Sequence, residues 1–449
     1  MRILFLSNGY PPRHVAGTEN YTAGIASALA HAGHHVSVVC VGEWDNGPAA
    51  YNGLSREETN GVAVTRLNLN WTRGPDPNRY LFDNPLTERH VGQLLEQFQP
   101  DVVHITSCYT LSASVIRAVK AHGYPLVVTL TDFWFFCPQL TLLRSDGRLC
   151  DGQTTPWDCL KCMLGDARAF RWPARLLPEP MVAAGLTWAS RTPLLSRRPG
   201  LRGMALDMSW RKQLLPGLLE MADAVIAPSK FLAGVAAACG LRREIHVVPY
   251  GHVLDWVDQL PQRTPAARLR IGYVGRMTPV KGVHVLLKAL ACLSAVEPPE
   301  VHIYGDLEQE PGYAQELRRL AGGLSNVCFH GPFQHDQMSV VYRQFDLLVV
   351  PSIWYENNPL VIQEAFAAGL PVIASKLGSM AEFVTHGTNG LLFEPGNPAA
   401  LATVLAEIIQ QPERLDQLRR GIPRVRTIAQ EVETLSLLYA GLRSHGYAN

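Results

Sequence analysis

The sequence predicts an α/β protein made of two doubly wound domains, each built on a parallel sheet. Two successive sets of short apolar segments alternate with helical stretches, a pattern that is typical of βαβ units. The chain of 449 residues is long enough for two such domains, each with its own hydrophobic core. Because a turn at Pro249–Gly251 separates the two sets, we predict a first domain at residues 1–255 and a second at 256–426.

The strands are predicted from apolar, partly β-branched runs that turn residues bound on both sides. In the first domain they are Arg2–Asn8, His35–Gly42, Val62–Asn68, Asp101–Thr106, Pro125–Asp132, Asp223–Ser229 and Glu244–Tyr250. Helices are predicted there around Thr18–Ala32, Pro85–Phe98 and Leu111–His122. In the second domain the strands are Arg270–Gly275, Val301–Gly305, Val327–Gly331, Asp346–Pro351, Pro371–Ser375 and Gly390–Phe393. Between about residues 137 and 219 the alternation breaks, which indicates an insertion.

Composition narrows the classes of protein to consider. Apolar residues make up 47% of the chain and the formal net charge is +1, which argues against a nucleic-acid-binding protein. No apolar run reaches the length that spans a membrane. The start of the chain has too short an apolar core for a signal peptide and resembles a first strand followed by a turn. We therefore expect a cytoplasmic protein.

The most informative segment carries two carboxylates, Glu356 and Glu364, eight residues apart. It begins after the apolar strand Asp346–Val350 and continues into a helical pattern. We predict Asn358 as the N-cap of that helix and Pro359 as its first residue, where a missing N–H costs nothing. A helix N-terminus offers unpaired amides and partial positive charge, so this loop suits a phosphate group.

A cationic segment follows the first strand of the second domain. Gly275 and Arg276 end that strand, and Lys281 lies five residues further on. Open α/β sheets place ligands at the carboxyl ends of their strands. An arginine and a lysine there can hold a diphosphate without a metal, and they would stabilise negative charge on a departing diphosphate.

Together these segments resemble the retaining GT-B glycosyltransferases of family 4, most strongly over Arg270–Pro395. The resemblance implies two Rossmann-like domains that face each other across a cleft, with residues 427–449 as a last helix that packs back on the first domain. It also implies transfer of a hexose-type sugar from a nucleoside-diphosphate sugar to a hydroxyl of a glycan, glycolipid or small molecule. The resemblance implies that catalysis requires no cofactor. It also implies a front-face displacement that needs no enzymic nucleophile, in which the departing phosphate accepts the proton of the acceptor.

The resemblance also implies roles for individual residues. Arg276 and Lys281 would bind phosphate, Glu356 would contact sugar hydroxyls near the reacting carbon, and Glu364 would contact the ribose. Pro359 stands where many members have glycine, so one backbone amide of the loop is missing here. The remaining candidate donors of the loop are Asn357, Asn358 and Leu360.

The acceptor-side candidates lie in the first domain, and they are Gly17, Thr18, Glu19 and Asp132. Ala16 replaces one of two glycines that family members often carry, and Thr131 replaces a histidine that they commonly carry. Asp132 has two interpretations: it binds a substrate hydroxyl or orients an acceptor, or it caps the turn after its strand. His104, on the preceding strand, is expected to be a core or rim histidine.

The insertion is rich in basic and aromatic residues, and two interpretations remain open. A basic, amphiphilic segment suits an anionic or lipid-linked acceptor, with peripheral contact at the inner membrane face. Alternatively, it is a helical excursion whose arginines simply face solvent. The residues concerned are Arg168, Arg171, Arg175, Arg191, Arg197, Arg198, Arg202, Arg211 and Lys212, with Trp172, Trp188 and Trp210.

Four cysteines, Cys137, Cys150, Cys159 and Cys162, fall within 26 residues, and the last two form a Cys-x-x-Cys pair. Four thiolates can close a structural zinc site or hold an iron–sulfur cluster. The alternative is a set of reduced or redox-active thiols. The other five cysteines are predicted to be core residues, and they are Cys40, Cys108, Cys239, Cys292 and Cys328.

Two other classes of function compete with sugar transfer. One is an epimerase or phosphorylase-like enzyme of the same fold that acts on the same donor. The other is a non-catalytic scaffold that binds a nucleotide sugar or a metal. The presence of all four charged residues in the two motifs argues against the scaffold.

Overall fold

The computed structural model describes residues 1–165, 179–192, 204–264, 266–293 and 298–446. The chain divides into two compact units: Met1–Tyr250 together with Ile428–Asn449, and Gly251–Thr427. The division after Tyr250 falls in the turn that the sequence indicates at Pro249–Gly251. Each unit contains a sheet of the doubly wound type, as the alternation of strands and helices predicts.

Among its described residues, the first unit contains an eight-stranded sheet in the order β3-β4-β2-β1-β5-β6-β7-β8. The strands are β1 (Arg2–Ser7), β2 (His35–Val41), β3 (Tyr51–Thr59), β4 (Val62–Leu69), β5 (Val102–Ile105), β6 (Leu126–Thr129), β7 (Ala224–Ala227) and β8 (Ile245–Val247). All neighbouring pairs are parallel except β3 and β4. Strands β5, β6 and β7 are buried along their whole length, which is why they are short and apolar.

The helices of the first unit are α1 (Gly17–His31), α2 (Pro77–Tyr80), α3 (Pro85–Phe98), α4 (Ser114–Ala121), α5 (Pro156–Gly165), α6 (Glu179–Arg191), α7 (Met204–Leu219) and α8 (Lys230–Ala238). The predicted helices α1, α3 and α4 are confirmed. Side-chain caps define two of the starts: Asn84 accepts from the amide of Leu86 before α3, and Ser229 accepts from the amide of Leu232 before α8.

Strand β3 was not predicted. It pairs antiparallel with β4 at the edge of the sheet, and its side chains alternate between half-buried and exposed. Polar residues therefore dominate the segment, and the apolar signal of a strand is missing. Its partner β4 carries Arg66, which is fully buried and forms an ion pair with Glu57 of β3 at 2.5 Å.

The predicted insertion contains α5, α6 and α7, and α7 packs against both of the other helices. The interpretation that the arginines of the insertion simply face solvent is wrong for Arg211, because this residue is only 5% exposed. Trp188 and Trp210 are exposed and Lys212 is half-buried, whereas the side chain of Arg191 is not described. Other residues of the predicted basic surface lie outside the described residues: Arg168, Arg171, Trp172, Arg175, Arg197, Arg198 and Arg202.

In its described residues, the second unit contains a six-stranded parallel sheet in the order β11-β10-β9-β12-β13-β14. The strands are β9 (Arg270–Val274), β10 (Glu300–Tyr304), β11 (Val327–Gly331), β12 (Leu347–Val350), β13 (Val372–Ser375) and β14 (Gly390–Phe393), and each was predicted. The helices are α9 (Val283–Ala291), α10 (Pro311–Ala321), α11 (Met338–Arg343), α12 (Leu360–Ala367), α13 (Met380–Phe383), α14 (Pro398–Gln410) and α15 (Glu413–Arg420). This strand order is that of a dinucleotide-binding Rossmann sheet.

The start of α12 differs from the prediction. Pro359 is the N-cap and Leu360 is the first helical residue, so Asn358 lies one position before the cap. The side-chain carbonyl of Asn358 is buried, and no described residue donates to it. The fixed φ of proline near −70° suits either position, so the sequence could not separate them.

The last helix is α16 (Ile428–Gly446), and it belongs to the first unit. The hydroxyl of Tyr21 on α1 donates to Glu431 of α16 at 2.8 Å, and both side chains are buried. In the ranges that the structure describes, no helix is both long enough and apolar enough to cross a membrane.

Candidate functional site

The predicted cationic and acidic segments of the second unit meet where the strand order reverses. β9 and β12 are neighbours in the sheet, with Ile271 opposite Leu347, although β10 and β11 separate them in sequence. At such a reversal, the loops that leave the two carboxyl ends diverge and open a crevice for a ligand. The loop after β9 carries Arg276 and Lys281, and the loop after β12 carries Glu356.

Close backbone contact holds these two loops together. Gly282, the N-cap of α9, has φ +75°, a conformation that L side chains rarely adopt. A Cβ at this position would stand 1.9 Å from the carbonyl oxygen of Pro351. Only glycine therefore lets the segment after Lys281 approach the end of β12 so closely.

Lys281 and Glu356 form an ion pair, with 2.7 Å between Nζ and Oε1. Ser352 Oγ and Trp354 Nε1 donate to the same oxygen at 2.7 and 2.9 Å. Among the described residues none donates to Oε2, so this oxygen is left to accept a hydrogen bond from a ligand. The backbone carbonyl of Glu356 accepts from the hydroxyl of Ser379.

The surroundings keep Glu356 ionised. Burial by itself would raise the pKa of this carboxyl, which is only 7% exposed. The charge of Lys281 and the hydrogen bonds from Lys281, Ser352 and Trp354 outweigh burial and hold the pKa below its ordinary value. The ammonium of Lys281 also lies 5.5 Å from the centre of the Trp354 ring, within the range of a cation–π contact.

Arg276 differs from Lys281 because its side chain is exposed. No described residue forms a hydrogen bond or an ion pair with its guanidinium, whereas its backbone carbonyl accepts from the hydroxyl of Tyr273 at 2.9 Å. Gly275 precedes it at the end of β9, and its amide donates to the carbonyl of Tyr304 on β10. The backbone of Arg276 is therefore fixed while its five N–H donors remain available to a ligand.

Glu364 lies on the second turn of α12, as predicted, and its described partner is Tyr342 of α11. The hydroxyl of Tyr342 donates to Oε2 at 2.5 Å, and its ring stacks on Trp256. Burial raises the pKa of Glu364, although the hydrogen bond from Tyr342 opposes the shift. The two glutamates thus sit in different electrostatic surroundings.

The first unit carries a network of hydroxyl groups at its own strand reversal, between β1 and β5. Gly17 is the first residue of α1, and Thr18 next to it donates from Oγ1 to Oγ1 of Thr131 at 3.1 Å. Thr131 in turn donates to the carbonyl of Thr106 at 2.7 Å. The threonine that replaces the family's histidine therefore ties α1 to the ends of β5 and β6.

Two carboxylates adjoin this network. Glu19 is buried and accepts from the side-chain amide of Asn8 at 2.6 Å. Asp132 accepts from the backbone amide of Trp134 at 2.8 Å, which is the turn-capping contact of the second interpretation. Burial raises the pKa of Asp132 to about 6, and the negative charge of Glu19 adds to the shift.

His104 is a core residue, as predicted. Its ring is fully buried, with Nδ1 2.6 Å from the hydroxyl of Tyr439 and Nε2 2.7 Å from Oγ1 of Thr129. Burial lowers its pKa to about 3, so the ring is neutral at physiological pH. Its contact with Tyr439 therefore holds α16 on the sheet, and the ring does not take up a second proton at physiological pH.

The four clustered cysteines, Cys137, Cys150, Cys159 and Cys162, line one small pocket of the first unit. In the part of the chain that the structure describes, no three His, Cys, Asp or Glu side chains are arranged to hold a metal ion as they stand. Of the five cysteines predicted to be core residues, Cys40 and Cys108 are buried and Cys239 is half-buried, while Cys292 and Cys328 are exposed. The prediction is wrong for the last two, because apolar neighbours in sequence do not fix the direction of a side chain.

Three partners of Glu356 were not predicted from the sequence. Ser352, Trp354 and Ser379 all contact Glu356. Ser352 and Trp354 lie between strand β12 and Glu356, in the segment that carries the two glutamates, so their position was a usable signal. Ser379 precedes the short helix α13, and nothing local in the sequence connects it to Glu356.

Comparison with known proteins gives matches over most of the chain. Residues 16–251 match the Glycosyl transferase 4-like domain, and residues 268–411 match Glycosyl transferases group 1. The D-inositol 3-phosphate glycosyltransferase of Rhodococcus jostii is 34% identical over 186 residues, which are 38% of this chain and 41% of that protein. A protein of the same name from Mycolicibacterium gilvum is 37% identical over 150 residues, 32% of each chain. The alignments thus span about two fifths or less of these relatives.

Solved structures resemble the whole chain at lower identity. Sucrose-phosphate synthase from Thermosynechococcus elongatus has a TM-score of 0.66 and 20% identity, and the match covers 99% of both chains. HepE from Anabaena, solved in complex with UDP-glucose, has a TM-score of 0.64 and 20% identity, over 97% of this chain and all of that one. These likenesses confirm the predicted GT-B fold of two Rossmann-like domains. Since the 4-like domain alone matches more than half of the sequence, the chain belongs to the glycosyl transferase 4-like family of glycosyltransferases.

Proposed function

We propose that this chain is a retaining hexosyltransferase that moves a sugar from a nucleoside-diphosphate donor to an acceptor hydroxyl. The observation that carries the proposal is the arrangement at the strand reversal of the second sheet, where Lys281 forms an ion pair with Glu356 and the exposed Arg276 lies on the same loop as Lys281. The family to which the chain belongs supports the reaction class. The complex of Anabaena HepE with UDP-glucose supports a nucleotide sugar as donor.

The two cations would bind the donor diphosphate in different ways. Arg276 offers a planar fork of donors that suits two phosphate oxygens at once. Lys281 has three N–H donors, and the contact with Glu356 uses one of them. Both cations would stabilise the negative charge that develops on the phosphate oxygen as the glycosidic bond breaks. Stabilisation of developing charge is usually the largest single contribution to such catalysis.

The carboxylates would position the donor without attacking it. Glu356 is held by three donors on Oε1, so its Oε2 is placed to accept from a sugar hydroxyl. Glu364, held by Tyr342 through one oxygen, would accept from the ribose with the other. Asn357, Asn358 and Leu360 would supply the backbone amides of the loop. The departing phosphate would then take the proton of the attacking hydroxyl on the same face of the sugar, which retains its configuration.

The donor is identified by a thermal-shift screen against UDP-, GDP-, ADP- and dTDP-sugars. A donor that binds the folded protein raises its apparent stability by mass action, by about 2.7 kcal/mol at a hundred times its Kd. The retained donor is then offered hydroxyl acceptors, including D-inositol 3-phosphate because two similar proteins carry that name. NMR of the product determines the anomeric configuration. Inversion contradicts the retaining mechanism, and a free sugar phosphate or an isomer identifies the phosphorylase-like or epimerase alternative.

Arg276→Ala tests the site itself. Removing one fixed donor to the developing charge should lower kcat by about 10²- to 10³-fold. The melting temperature should hardly change, because the side chain is exposed and contacts no described partner. Arg319→Ala is the matched control, since Arg319 is an exposed arginine on α10 of the same unit. Unchanged turnover in Arg276→Ala overturns the role of this residue.

Membrane contact through the insertion stays a proposal of its own. Met181 and Trp188, seven residues apart on α6, are 63% and 67% exposed, and this spacing puts both on one face of the helix. Co-sedimentation with vesicles of anionic and of neutral lipid tests it. Binding only to anionic vesicles, lost in Trp188→Ser, supports the proposal, and equal recovery with and without vesicles contradicts it.

A further inference from the structure

The thiol pocket of the first unit is built from three separate stretches of chain. Cys137 follows the aromatic turn Phe133–Phe136, and Cys150 follows a hairpin-like bridge between Leu143 and Leu149. Cys159 and Cys162 lie on α5, where a spacing of three residues puts both on one side of the helix. None of these contacts belongs to the proposed transfer reaction. The fold thus collects four soft ligands that the sequence spreads over 26 residues.

Hydrogen bonds from neighbouring side chains already reach two of the four sulfurs, and the Gln139 amide is a donor. The side-chain amide of Gln139 donates to Sγ of Cys162 at 3.5 Å. Oγ1 of Thr154 lies 3.1 Å from Sγ of Cys159. Donors of this kind stabilise thiolates, and they orient the sulfurs that bind a metal.

A buried cation lies next to the pocket. Arg211 on α7 is buried, donates to the carbonyl of Trp134 and lies 5.3 Å from the centre of that residue's ring. No carboxylate of the described residues forms an ion pair with it, although the carboxyl of Asp132 interacts with it electrostatically from beyond ion-pair distance. Lys212, the next residue, donates to Thr154, which in turn contacts Cys159. A buried charge of this kind needs a compensating charge nearby, and uncharged thiols do not supply one.

We propose that Cys137, Cys150, Cys159 and Cys162 bind one Zn²⁺ as a structural four-thiolate site. On binding, the four thiols release four protons, and Zn²⁺ with four thiolates leaves a net charge of −2. Arg211 and Lys212 then offset this charge. Because the side chains do not stand in metal-binding geometry, binding requires the thiols to turn about their Cα–Cβ bonds toward a common point. A closed set of four sulfurs leaves no open position, so the metal would be structural and not catalytic.

The site would stabilise the stretch that follows Asp132. From Leu130 to Thr155 this stretch contains no helix or strand, only turns and the bridge between Leu143 and Leu149. Because the unfolded chain has no preformed site, the free energy of metal binding would stabilise the folded stretch, and a metal that joins it to α5 would hold the segment next to Asp132 in place. Loss of the metal should therefore lower the stability of the first unit.

Metal analysis of the untagged, full-length chain, purified without chelator or metal-affinity column, tests the proposal. We expect close to one zinc per chain, released as a mercurial reagent modifies the thiols of the chain. Replacement of the zinc by cobalt should give the visible spectrum of a tetrahedral four-sulfur site. This measurement uses the natural sequence, so it does not depend on whether a variant folds.

Variants then assign the ligands. Cys162→Ser should lower the zinc content several-fold, whereas Cys328→Ser, an exposed cysteine of the second unit, should keep it. Cys239→Ser is the stricter control, because Cys239 Sγ lies 2.5 Å from where a Cβ of Gly152 would stand, close to the pocket. Zinc-free protein, iron with acid-labile sulfide, or a disulfide among the four cysteines overturns the proposal. Loss of zinc in Cys239→Ser overturns the assigned ligand set.

Discussion

The two units share one architecture, but the residues at the carboxyl ends of their central strands differ in chemistry. In the second unit the loops after β9 and β12 carry full charges, and Lys281 and Glu356 neutralise each other at 2.7 Å. In the first unit, Thr18 at the start of α1 follows β1, and its hydroxyl contacts Thr131, which follows β6, the strand next to β5. The carboxyl that follows them, Asp132, has its pKa raised to about 6 by burial. One edge is therefore ionic and the other is mainly hydroxylic.

This difference matches what each edge would bind in the proposed reaction. A diphosphate carries permanent negative charge, so a site that binds it needs cations held at fixed positions. An acceptor hydroxyl is neutral, and hydrogen bonds from threonines and a carboxyl suffice to orient it. The contrast also predicts opposite effects on stability when a charge is removed at each edge, because Glu356 is paired with Lys281, whereas no described residue forms an ion pair with Asp132.

The largest expected effect comes from Lys281→Ala. It leaves the buried carboxylate of Glu356 without its counter-charge, so we expect a loss of about 1–3 kcal/mol in the free energy of unfolding. Turnover should fall by about 10²- to 10³-fold, because a charge that stabilises the departing diphosphate is also lost. Urea unfolding and initial rates at saturating donor measure the two effects.

The double variant Lys281→Ala/Glu356→Gln separates these effects. Removing the unpaired charge should recover part of the stability, while activity stays low, because neither substitution restores the phosphate contact. Lys120→Ala is the matched control, since Lys120 pairs with Asp223 at 2.8 Å in the first unit, where both side chains are partly exposed. Its cost should stay below about 1 kcal/mol and its turnover should not change. Equal losses in Lys120→Ala and Lys281→Ala would contradict the contrast between the two edges.

A smaller effect is expected from Gly282→Ala, which alters the approach of the two loops. The new Cβ would stand 1.9 Å from the carbonyl oxygen of Pro351, so the backbone must move. A left-handed conformation costs a residue with a Cβ about 1–2 kcal/mol in addition. Gly387→Ala has nearly the same φ, +78°, with no atom within 4 Å of the added Cβ. It therefore measures the conformational cost alone. Loss of stability and of donor affinity should both be larger in Gly282→Ala, and equal values would show that the close contact is unimportant.

The sequence predicts the strands and the charged motif well because both depend on local signals. Every strand of the second sheet follows from an apolar run, and Lys281 and Glu356 meet because each follows a strand that the doubly wound order makes adjacent. Contacts between distant segments were not predictable. Ser379 reaches Glu356 from 23 positions away, and β3 carries polar residues because it lies at a sheet edge.

Buried charge was the other feature that local patterns could not predict. Arg66 lies within a predicted strand and Arg211 within the basic insertion, yet both are buried. Glu57 forms an ion pair with Arg66, whereas Arg211 donates to the backbone carbonyl of Trp134. Composition describes how many charges a segment has and not which of them the surrounding helices will cover. The same limit applies to Cys292 and Cys328, whose exposure contradicts their apolar sequence neighbours.

The smallest expected effect, and the most specific to the first unit, is that of Asp132→Asn. Because the folded state raises the pKa of Asp132 from 3.8 to about 6, the folded protein holds this proton more tightly than the unfolded chain does. The stability that Asp132 contributes is therefore complete below about pH 4 and is lost as the pH rises through 6. Asparagine keeps the contact with the Trp134 amide but cannot ionise. At pH 8 the variant should be more stable by about 1–2 kcal/mol, allowing for partial exposure of the side chain.

Urea unfolding at pH 8 and at pH 4 checks this sign, since the gain should disappear at the lower pH. Asp146→Asn is the control, because the neighbouring Arg148 lowers the pKa of that exposed carboxyl, so its removal should bring no gain at pH 8. If Asp132 also orients the acceptor, the stabilised variant should show a higher KM for the acceptor and an unchanged KM for the donor. A stabilised variant with unaltered kinetics would leave Asp132 as a turn cap, and a variant less stable at pH 8 would show that its carboxylate has a partner cation in the folded protein.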